Sequence, residues 1–312
     1  MLIEKLNQYT EEQIVNLKND DNQLKLLIEE CPNVDKLKLL TDAVVNETTE
    51  VTLVIASDNN NLVAFSDFEC ISNNVKVIES YNYGQTLKSI EGISMFENLR
   101  KLVIDALYDD KLCIDELPLL SKLEELCMDF YPITKYQYPA LNRLNGLKHL
   151  KIKGLDSNLM SYLPNLRYLH CTGMKTGAEL DRNMPNLQRI YLFRSPKLSN
   201  IEFISGLKKL EVLSLNGLSN ISEIPNLDKL VNLTRIQLLN MKRLMTMPKL
   251  NKSIKSIDLT QNIPLFDPEV LRDITPDNYP QLESLRINLG NDKDSNEVLE
   301  RFKGICRTSR WH

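Results

Sequence analysis

The sequence predicts an α/β solenoid, in which parallel strands return at regular intervals and stack side by side. Three observations predict this fold class. A phrase with apolar residues at its first, fourth and sixth positions recurs nine times, the copies start 19 to 28 residues apart, and apolar and polar residues alternate within each copy. The leading positions are Leu99, Leu123, Leu147, Leu166, Leu187, Leu210, Leu233, Ile254 and Leu282. Such a period is typical of repeat architectures.

Alternation within each copy sets the direction of the side chains. Successive residues of a strand point to opposite sides. In "MPNLQRIYLF" Leu187, Ile190 and Leu192 are therefore expected to face the core, whereas Arg189, Tyr191 and Phe193 face away from it. In every copy, the residues two, four and six positions after the leading residue are expected on this outer face.

Three weaker copies precede the nine, starting at Val34, Val51 and Val75. They lack the leucines of the later copies. If they count, about twelve strands form one parallel sheet.

The L-x-x-L-x-L phrase at this period resembles the leucine-rich repeat superfamily. The endings "LSNISEIPNL" and "MKRLMTMPKL" are similar to those of the irregular intracellular type found in plant and NOD-like sensors. The resemblance implies a horseshoe whose parallel sheet lines the concave side. It also implies a non-catalytic protein-binding module that recognises a protein partner through that side.

One departure from the familiar repeat concerns the turn after each strand. Repeats of the best-known kind carry asparagine eight residues after the leading residue, where the amide bonds to the turn. Here only Asn262 matches, and the other copies carry Leu107, Tyr131, Leu155, Met174, Leu218 and Met241. We therefore expect the backbone or water to satisfy these turns.

The ends of a solenoid need caps, because each terminal repeat would otherwise expose its core. We expect a helical N-terminal cap over residues 1–33, a repeat array over 34–290, and a C-terminal cap helix and tail over 291–312. In the first cap, Thr10 and Gln13 match a capping box, and "NQLKLLIEE" is interpreted as a second helix that ends before Pro32.

The predicted C-terminal helix lies in "SNEVLERFKG". Asp294 or Ser295 is the expected N-cap, and Gly304 lies just past the helix end. Its apolar residues are expected to cover the last strand; they are Val298, Leu299 and Phe302.

Composition excludes several classes of function. The chain has 312 residues, a formal charge of -4, six cysteines without a C-x-x-C pair and three histidines. This predicts no metal site, no cofactor and no disulfide framework. Glu4 and Lys5 interrupt the apolar start, so we expect no signal peptide, no membrane association and an intracellular, most simply cytoplasmic, location. The glycosylation triplets are then chance products; they begin at Asn46, Asn220, Asn232 and Asn251.

The candidate binding residues lie on the predicted outer face. They mix cations with rings, which often dominate binding energy at protein interfaces. They are His149, Lys151, Tyr168, His170, Arg189, Tyr191, Phe193 and Arg235. Acidic rows, with Glu125 and Asp129, precede them in sequence. We expect a partner with the opposite sequence of charges.

Three alternatives to a simple protein-binding module remain open. Cys113 and Asp115 form a C-x-D motif like that of ubiquitin ligases that follow leucine-rich repeats, but nearby carboxylates oppose a reactive thiolate. Residues 2–45 resemble the helical box of a substrate receptor or adaptor of a ubiquitin ligase, without its Leu-Pro opening. A pathogen effector or toxin antagonist could use the same surface.

A nucleic acid is the remaining alternative partner. The cations around Tyr168 combine charge with a stacking ring, as single-strand binders do. The neighbouring acidic rows argue against it, because they would repel a phosphate backbone.

Overall fold

The fold consists mainly of parallel strands that recur at the interval of the sequence repeat. The computed structural model describes residues 1–56, 63–81, 87–105, 108–260, 272–288 and 292–309. It divides into two compact units, Met1–Ile152 and Lys153–His312. Each unit is described by itself.

The first unit contains a parallel sheet with the strand order β1-β2-β3-β4-β6-β8-β9. A separate parallel pair joins β5 to β7. The bounds are β1 Leu2–Glu4, β2 Gln23–Ile28, β3 Glu50–Ile55, β4 Val75–Ser80, β5 Leu87–Ser89, β6 Lys101–Ile104, β7 Tyr108–Cys113, β8 Glu125–Met128 and β9 His149–Lys153, which ends at the unit boundary.

The second unit contains a parallel run in which each strand pairs with the next one in sequence. Its strands are β10 Tyr168–Thr172, β11 Arg189–Phe193, β12 Val212–Asn216, β13 Arg235–Leu239, β14 Ser256–Thr260, β15 Ser284–Asn288 and β16 Arg307–Ser309. β16 was not predicted from the sequence.

The nine strong copies of the phrase are all strands, and each strand begins two residues after its leading Leu or Ile. The predicted side-chain directions are confirmed by the alternation of buried and more exposed residues along them, as in Arg189–Phe193 and Arg235–Leu239. The weaker strands predicted at Val51 and Val75 are also present, as β3 and β4.

Cross-strand rows of aliphatic side chains form the core of the second unit. Ile190, Leu213, Ile236, Ile257 and Leu285 occupy one register position on successive strands. Each of them has no exposed surface. Burying one such side chain stabilises the folded state by roughly 1.5 to 3 kcal/mol. These rows are therefore the main source of stability.

Two predictions near the N-terminus are wrong. Gln23–Ile28 is the strand β2 rather than a helix, because Leu24, Leu26 and Ile28 are buried at a spacing of two residues. The strand predicted at Val34 is instead α2, Val34–Val44, which Asn33 caps by accepting a hydrogen bond from the Lys36 N–H at 3.0 Å. Short runs of leucine and lysine fit both periods, and the tertiary packing decides between them.

The predicted capping box is confirmed at α1, Glu11–Val15. The Thr10 hydroxyl accepts from the Gln13 N–H at 3.2 Å, and the Gln13 side chain accepts from the Thr10 N–H at 2.8 Å. Ile14 is fully buried, whereas Leu17 lies past the helix end and is only half-buried.

The remaining helices are short and connect the strands. They are α3 Tyr138–Leu141 and α4 Leu180–Asn183, with 3₁₀ turns at Leu6–Gln8, Phe65–Asn74, Ile93–Met95, Leu117–Leu119, Ser157–Leu159 and Glu202–Gly206. No helix in the described ranges is long and apolar enough to cross a bilayer.

The C-terminal helix is present as α5, Asp292–Arg301. It begins before the predicted N-cap, whereas Gly304 lies past its end with a left-handed φ of 76°. Val298 and Phe302 are buried, and α5 contacts β15. The limits proposed for the caps and the repeat array stay a prediction.

Asparagines before the strands link neighbouring repeats. Each of these asparagines directly precedes the leading residue of its own repeat. Its side-chain amide donates to a backbone carbonyl of the preceding repeat, two residues before the leading residue of that repeat. The bonds join Asn74 to Thr49 (3.0 Å), Asn98 to Asn73 (2.9 Å), Asn186 to Pro164 (2.7 Å) and Asn232 to Lys208 (3.1 Å). Asparagine side chains thus link successive repeats in this chain, but they lie before the strand, whereas the familiar repeat places them after it.

Backbone hydrogen bonds are present at the turns after the strands, which is one of the two alternatives predicted for a chain without the usual asparagine. The residue seven positions after the leading one donates its N–H to the carbonyl at the end of the next strand. These bonds run from Gly173 to Phe193, Arg194 to Asn216, Gly217 to Leu239 and Asn240 to Thr260, at 2.7 to 2.9 Å. The predicted match at Asn262 lies outside the described residues.

Candidate binding face of the second unit

The open face of the sheet, meaning the side opposite the aliphatic core, carries the residues that the sequence singled out. Tyr168, His170, Arg189, Tyr191 and Phe193 lie on the adjacent strands β10 and β11 of the second unit. Arg235 lies two strands beyond β11, on β13. His149 and Lys151 lie on β9, among the residues of the first unit.

Four rings on β10 and β11 form a cluster, which we call the ring cluster: Tyr168, His170, Tyr191 and Phe193. The ring centroids of Tyr168 and Tyr191 are 5.3 Å apart, and those of His170 and Phe193 are 4.8 Å apart with only 14° between the ring planes. His170 also stacks on Tyr191 at 6.3 Å. These separations lie in the range of favourable aromatic pairs, so the rings hold one another in place before any partner arrives.

Three arginines lie on the β11 side of the ring cluster, on or next to β11 and on β13. Arg189, Arg194 and Arg235 are exposed. Within the described residues, none of the three forms an ion pair. Arg189 and Arg235 occupy the same register row on either side of Val212, which places their backbones about 10 Å apart.

Sequence reasoning missed Arg194, and the signal that could have found it is positional. Arg194 occupies the seventh position after a leading residue, where other repeats have Gly154, Gly173 or Gly217 at left-handed φ values of 67° to 76°. Arg194 adopts a φ of 40° there. Non-glycine residues in this region cost of order 1–3 kcal/mol. A large charged residue at a glycine position therefore points to a surface role.

Replacing Arg194 with glycine should raise the free energy of unfolding by up to about 1 kcal/mol, because relief of the left-handed strain exceeds the entropy cost of glycine. The matched change Gly217→Ala should lower it by about 1 kcal/mol, since it introduces the same strain in the next repeat. Urea unfolding followed by circular dichroism measures both. A loss of stability in the Arg194 variant would show that its side chain contributes more to folding than its backbone costs.

Several polar and charged side chains on the open face of the first unit pair across neighbouring strands. Lys101 pairs with Glu79 at 3.2 Å, and His149 Nδ1 lies 2.9 Å from Glu125. Lys151 pairs with Asp129 at 3.2 Å. The acidic and basic rows predicted from the sequence therefore compensate each other where β8 meets β9.

The pKa of Lys151 reflects this pairing. Partial burial works to lower its pKa, but the hydrogen bond to Asp129 and the charges around it outweigh burial and raise the pKa. Lys151 is thus held as a cation by its own neighbours. Its place in the predicted binding surface stays a prediction.

The thiols near these charges are poorly suited to nucleophilic chemistry. Burial raises the pKa of Cys127, and the nearby Asp129 and Asp105 carboxylates raise it further, against the opposing effect of Lys151. Cys113, of the C-x-D motif, lies with its Sγ 3.3 Å from an Asp115 carboxylate oxygen. A thiolate is stabilised by positive charge, and neither site supplies it in excess. The described residues hold no group of three or more His, Cys, Asp or Glu side chains arranged for a metal ion.

Comparisons with known proteins identify the fold. No family model matches the chain, and no curated protein matches it. Among solved structures, a TLR13–ssRNA13 complex has a TM-score of 0.59 at 15% identity, over 99% of this chain and 53% of that one. The Toll–Spätzle complex of Drosophila has a TM-score of 0.58 at 14% identity, over 92% of this chain and 40% of that one.

The functional domain of InlJ from Listeria monocytogenes is also similar, with a TM-score of 0.51 at 16% identity, over 88% of this chain and 68% of that one. The chain spans about half of the TLR13 chain and less than half of the Toll chain. At these identities the likeness concerns the fold alone. The repeated phrase, the parallel strands at its period and these neighbours together show that the chain has the leucine-rich repeat fold.

Proposed function

We propose that the chain is a non-catalytic module that binds a protein partner through the open face of its sheet, which the resemblance places on the concave side. The observation that carries the proposal is the ring cluster beside arginines without ion pairs. Tyrosine and arginine are enriched among the residues that dominate protein interfaces. Rings already held together lose little freedom when a partner binds.

The proposal includes an intracellular location and no cofactor or metal. Its partner is a protein, and the similar Toll structure is likewise a complex, formed with Spätzle. The strands supply a rigid frame, and recognition involves no covalent step.

A single-stranded nucleic acid is the second candidate. The TLR13 structure with a similar fold is a complex with an ssRNA, and arginines beside rings are the usual composition of single-strand sites. The ring cluster favours this candidate less, because His170 and Phe193 stack on each other and so cover one face of each ring, which leaves fewer ring faces for bases.

The test is a pull-down from nuclease-treated lysate, with captured proteins identified by mass spectrometry and the affinity of each then measured with the purified partner. The variant Arg189→Ala/Tyr191→Ala should lose a partner that the unchanged chain captures. A loss of roughly 2 kcal/mol or more, about thirty-fold in Kd, is expected when two such contacts are removed.

The matched control is Arg182→Ala/Tyr162→Ala, which removes the same two residue types from exposed positions in the second unit, away from the open face. It should capture the same proteins as the unchanged chain. If the Arg189/Tyr191 variant remains folded and captures an identical set, the open face of β11 is not the binding site.

A further inference from the structure

β12 carries short side chains between longer ones on the open face of the second unit. Its open-face residues are Val212, Ser214 and Asn216, and they lie between longer side chains on β11 and β13. Ser214 points to the open face but is only 2% exposed, so neighbouring side chains cover it, whereas Val212 and Asn216 at the two ends of the strand are partly exposed. The neighbours of Ser214 in the same register row are Tyr191 and Gln237, which rise above it on either side. We call this strip of short side chains on β12, together with the longer side chains on either side, the β12 slot.

Positive charge lies at both ends of the β12 slot. Arg189 and Arg235 flank Val212 at the amino-terminal end of the strands. Arg194 lies at the other end, where a Cβ on Gly217 would be 3.5 Å from the Arg194 Cγ. Long guanidinium side chains on both sides of the short Val212 can converge on one carboxylate, the group that arginine binds in bidentate geometry.

Within the described residues, no carboxylate forms an ion pair with Arg189, Arg194 or Arg235, and this includes Glu211, which directly precedes β12. All of β10–β13 is described, and none of its open-face residues is acidic. The next strand carries Asp258, which accepts hydrogen bonds from Arg286 at 3.2 Å and from Thr260 at 3.0 Å. The negative charge of Asp258 is therefore already compensated by Arg286. The arginines around the β12 slot contrast with Lys101 and Lys151 of the first unit, which each form an ion pair with an acidic side chain.

We propose that the β12 slot binds an extended acidic segment of the partner protein, with an Asp or Glu carboxylate between Arg189 and Arg235. An apolar or aromatic side chain of the same segment packs against Tyr191 and Phe193, which form one wall of the slot. This inference rests on the proposed function and specifies the chemistry of the partner. An acidic peptide fits better than a nucleic acid, because three arginines can balance only a few negative charges and stacking within the ring cluster leaves fewer ring faces for bases.

The test is selection of phage-displayed random dodecapeptides on the immobilised full chain. Selected peptides should contain Asp and Glu at least twice as often as the starting library, together with an aromatic residue. A synthetic copy of the most enriched peptide should bind at least ten-fold more tightly than its Asn/Gln counterpart. This preference should weaken as salt concentration rises, since exposed charge pairs are screened.

The variant Arg189→Gln/Arg235→Gln removes the charges with little change in size, and both positions are exposed, so the fold should be retained. It should lose the preference for acidic peptides. The control Lys209→Gln/Lys229→Gln removes the same charge from exposed positions off the open face and should keep it. The inference is overturned if no acidic preference emerges, or if the Arg189/Arg235 variant keeps one.

Fluorescence anisotropy with a labelled 20-mer of oligo(U) separates the two classes of macromolecule. Micromolar binding that is lost in Arg189→Gln/Arg235→Gln would assign the β12 slot to nucleic acid and overturn the peptide assignment.

Failure of the inference can be told from failure of the proposed function. A protein partner lost in Arg189→Ala/Tyr191→Ala while selected peptides show no acidic bias would leave the function standing and remove only the acidic segment.

Discussion

Leu213→Ala should lower the free energy of unfolding by about 2 to 5 kcal/mol. Leu213 lies in the middle of β12 without exposed surface, between Ile190 and Ile236 in the same register row. Removing its branched end leaves a cavity that the neighbouring strands cannot close, since their hydrogen-bonded register fixes the spacing. Urea unfolding followed by circular dichroism measures the loss.

The control for this prediction is Val212→Ala on the same strand. Val212 points to the open face and is half-buried, so its truncation should cost less than about 1 kcal/mol. A larger loss at Val212 than at Leu213 would mean that the assigned directions of the side chains are reversed, because a shift of one residue exchanges the two faces of a strand.

Asn251→Asp should lower the free energy of unfolding by about 2 to 5 kcal/mol, because a buried polar group loses its partners and a charge is placed among acceptors. The Asn251 amide is buried and donates to the carbonyls of Leu230 at 2.6 Å and Leu233 at 3.1 Å. A carboxylate cannot donate these bonds and faces both carbonyls with like charge. Thermal and urea unfolding at pH 7 test the loss.

The control is Asn226→Asp, at an exposed position where the side chain only accepts a hydrogen bond from the Asp228 N–H at 3.0 Å. A carboxylate keeps that role, so a change below about 0.5 kcal/mol is expected. The deficit of the Asn251 variant relative to the unchanged chain should shrink below pH 5, since protonation restores a donor. A deficit that is small at pH 7 would show that the repeat does not depend on the amide.

The asparagines give the clearest case of a role that the sequence did not reveal. Asn232 and Asn251 each begin a glycosylation triplet, which sequence reasoning set aside as chance. In the structure their amides bond to the backbone of the preceding repeat. The sequence showed that asparagine was missing from the familiar position after the strand. It did not show that another position supplies the link, because the bonded carbonyls lie 18 to 24 residues away along the chain.

Arg194 and the ion pairs of the first unit are further examples. The sequence placed Lys151 and Asp129 on neighbouring predicted strands, but not within 3.2 Å of each other. Whether a cation is compensated depends on register and rotamer, which a repeat period alone does not set. The same limit applies to Arg189 and Arg235, whose lack of an ion pair is visible only once their neighbours are placed.

The sequence by itself determined the repeat, the location of nine strands and the face to which their side chains point. These features follow from local periodicity, because a strand has a period of two and one buried face. Tertiary structure decided between strand and helix at Gln23–Ile28 and Val34–Val44, where both periods fit. It also decided which charges are neutralised and which residues line the β12 slot, since these depend on contacts between residues a whole repeat apart.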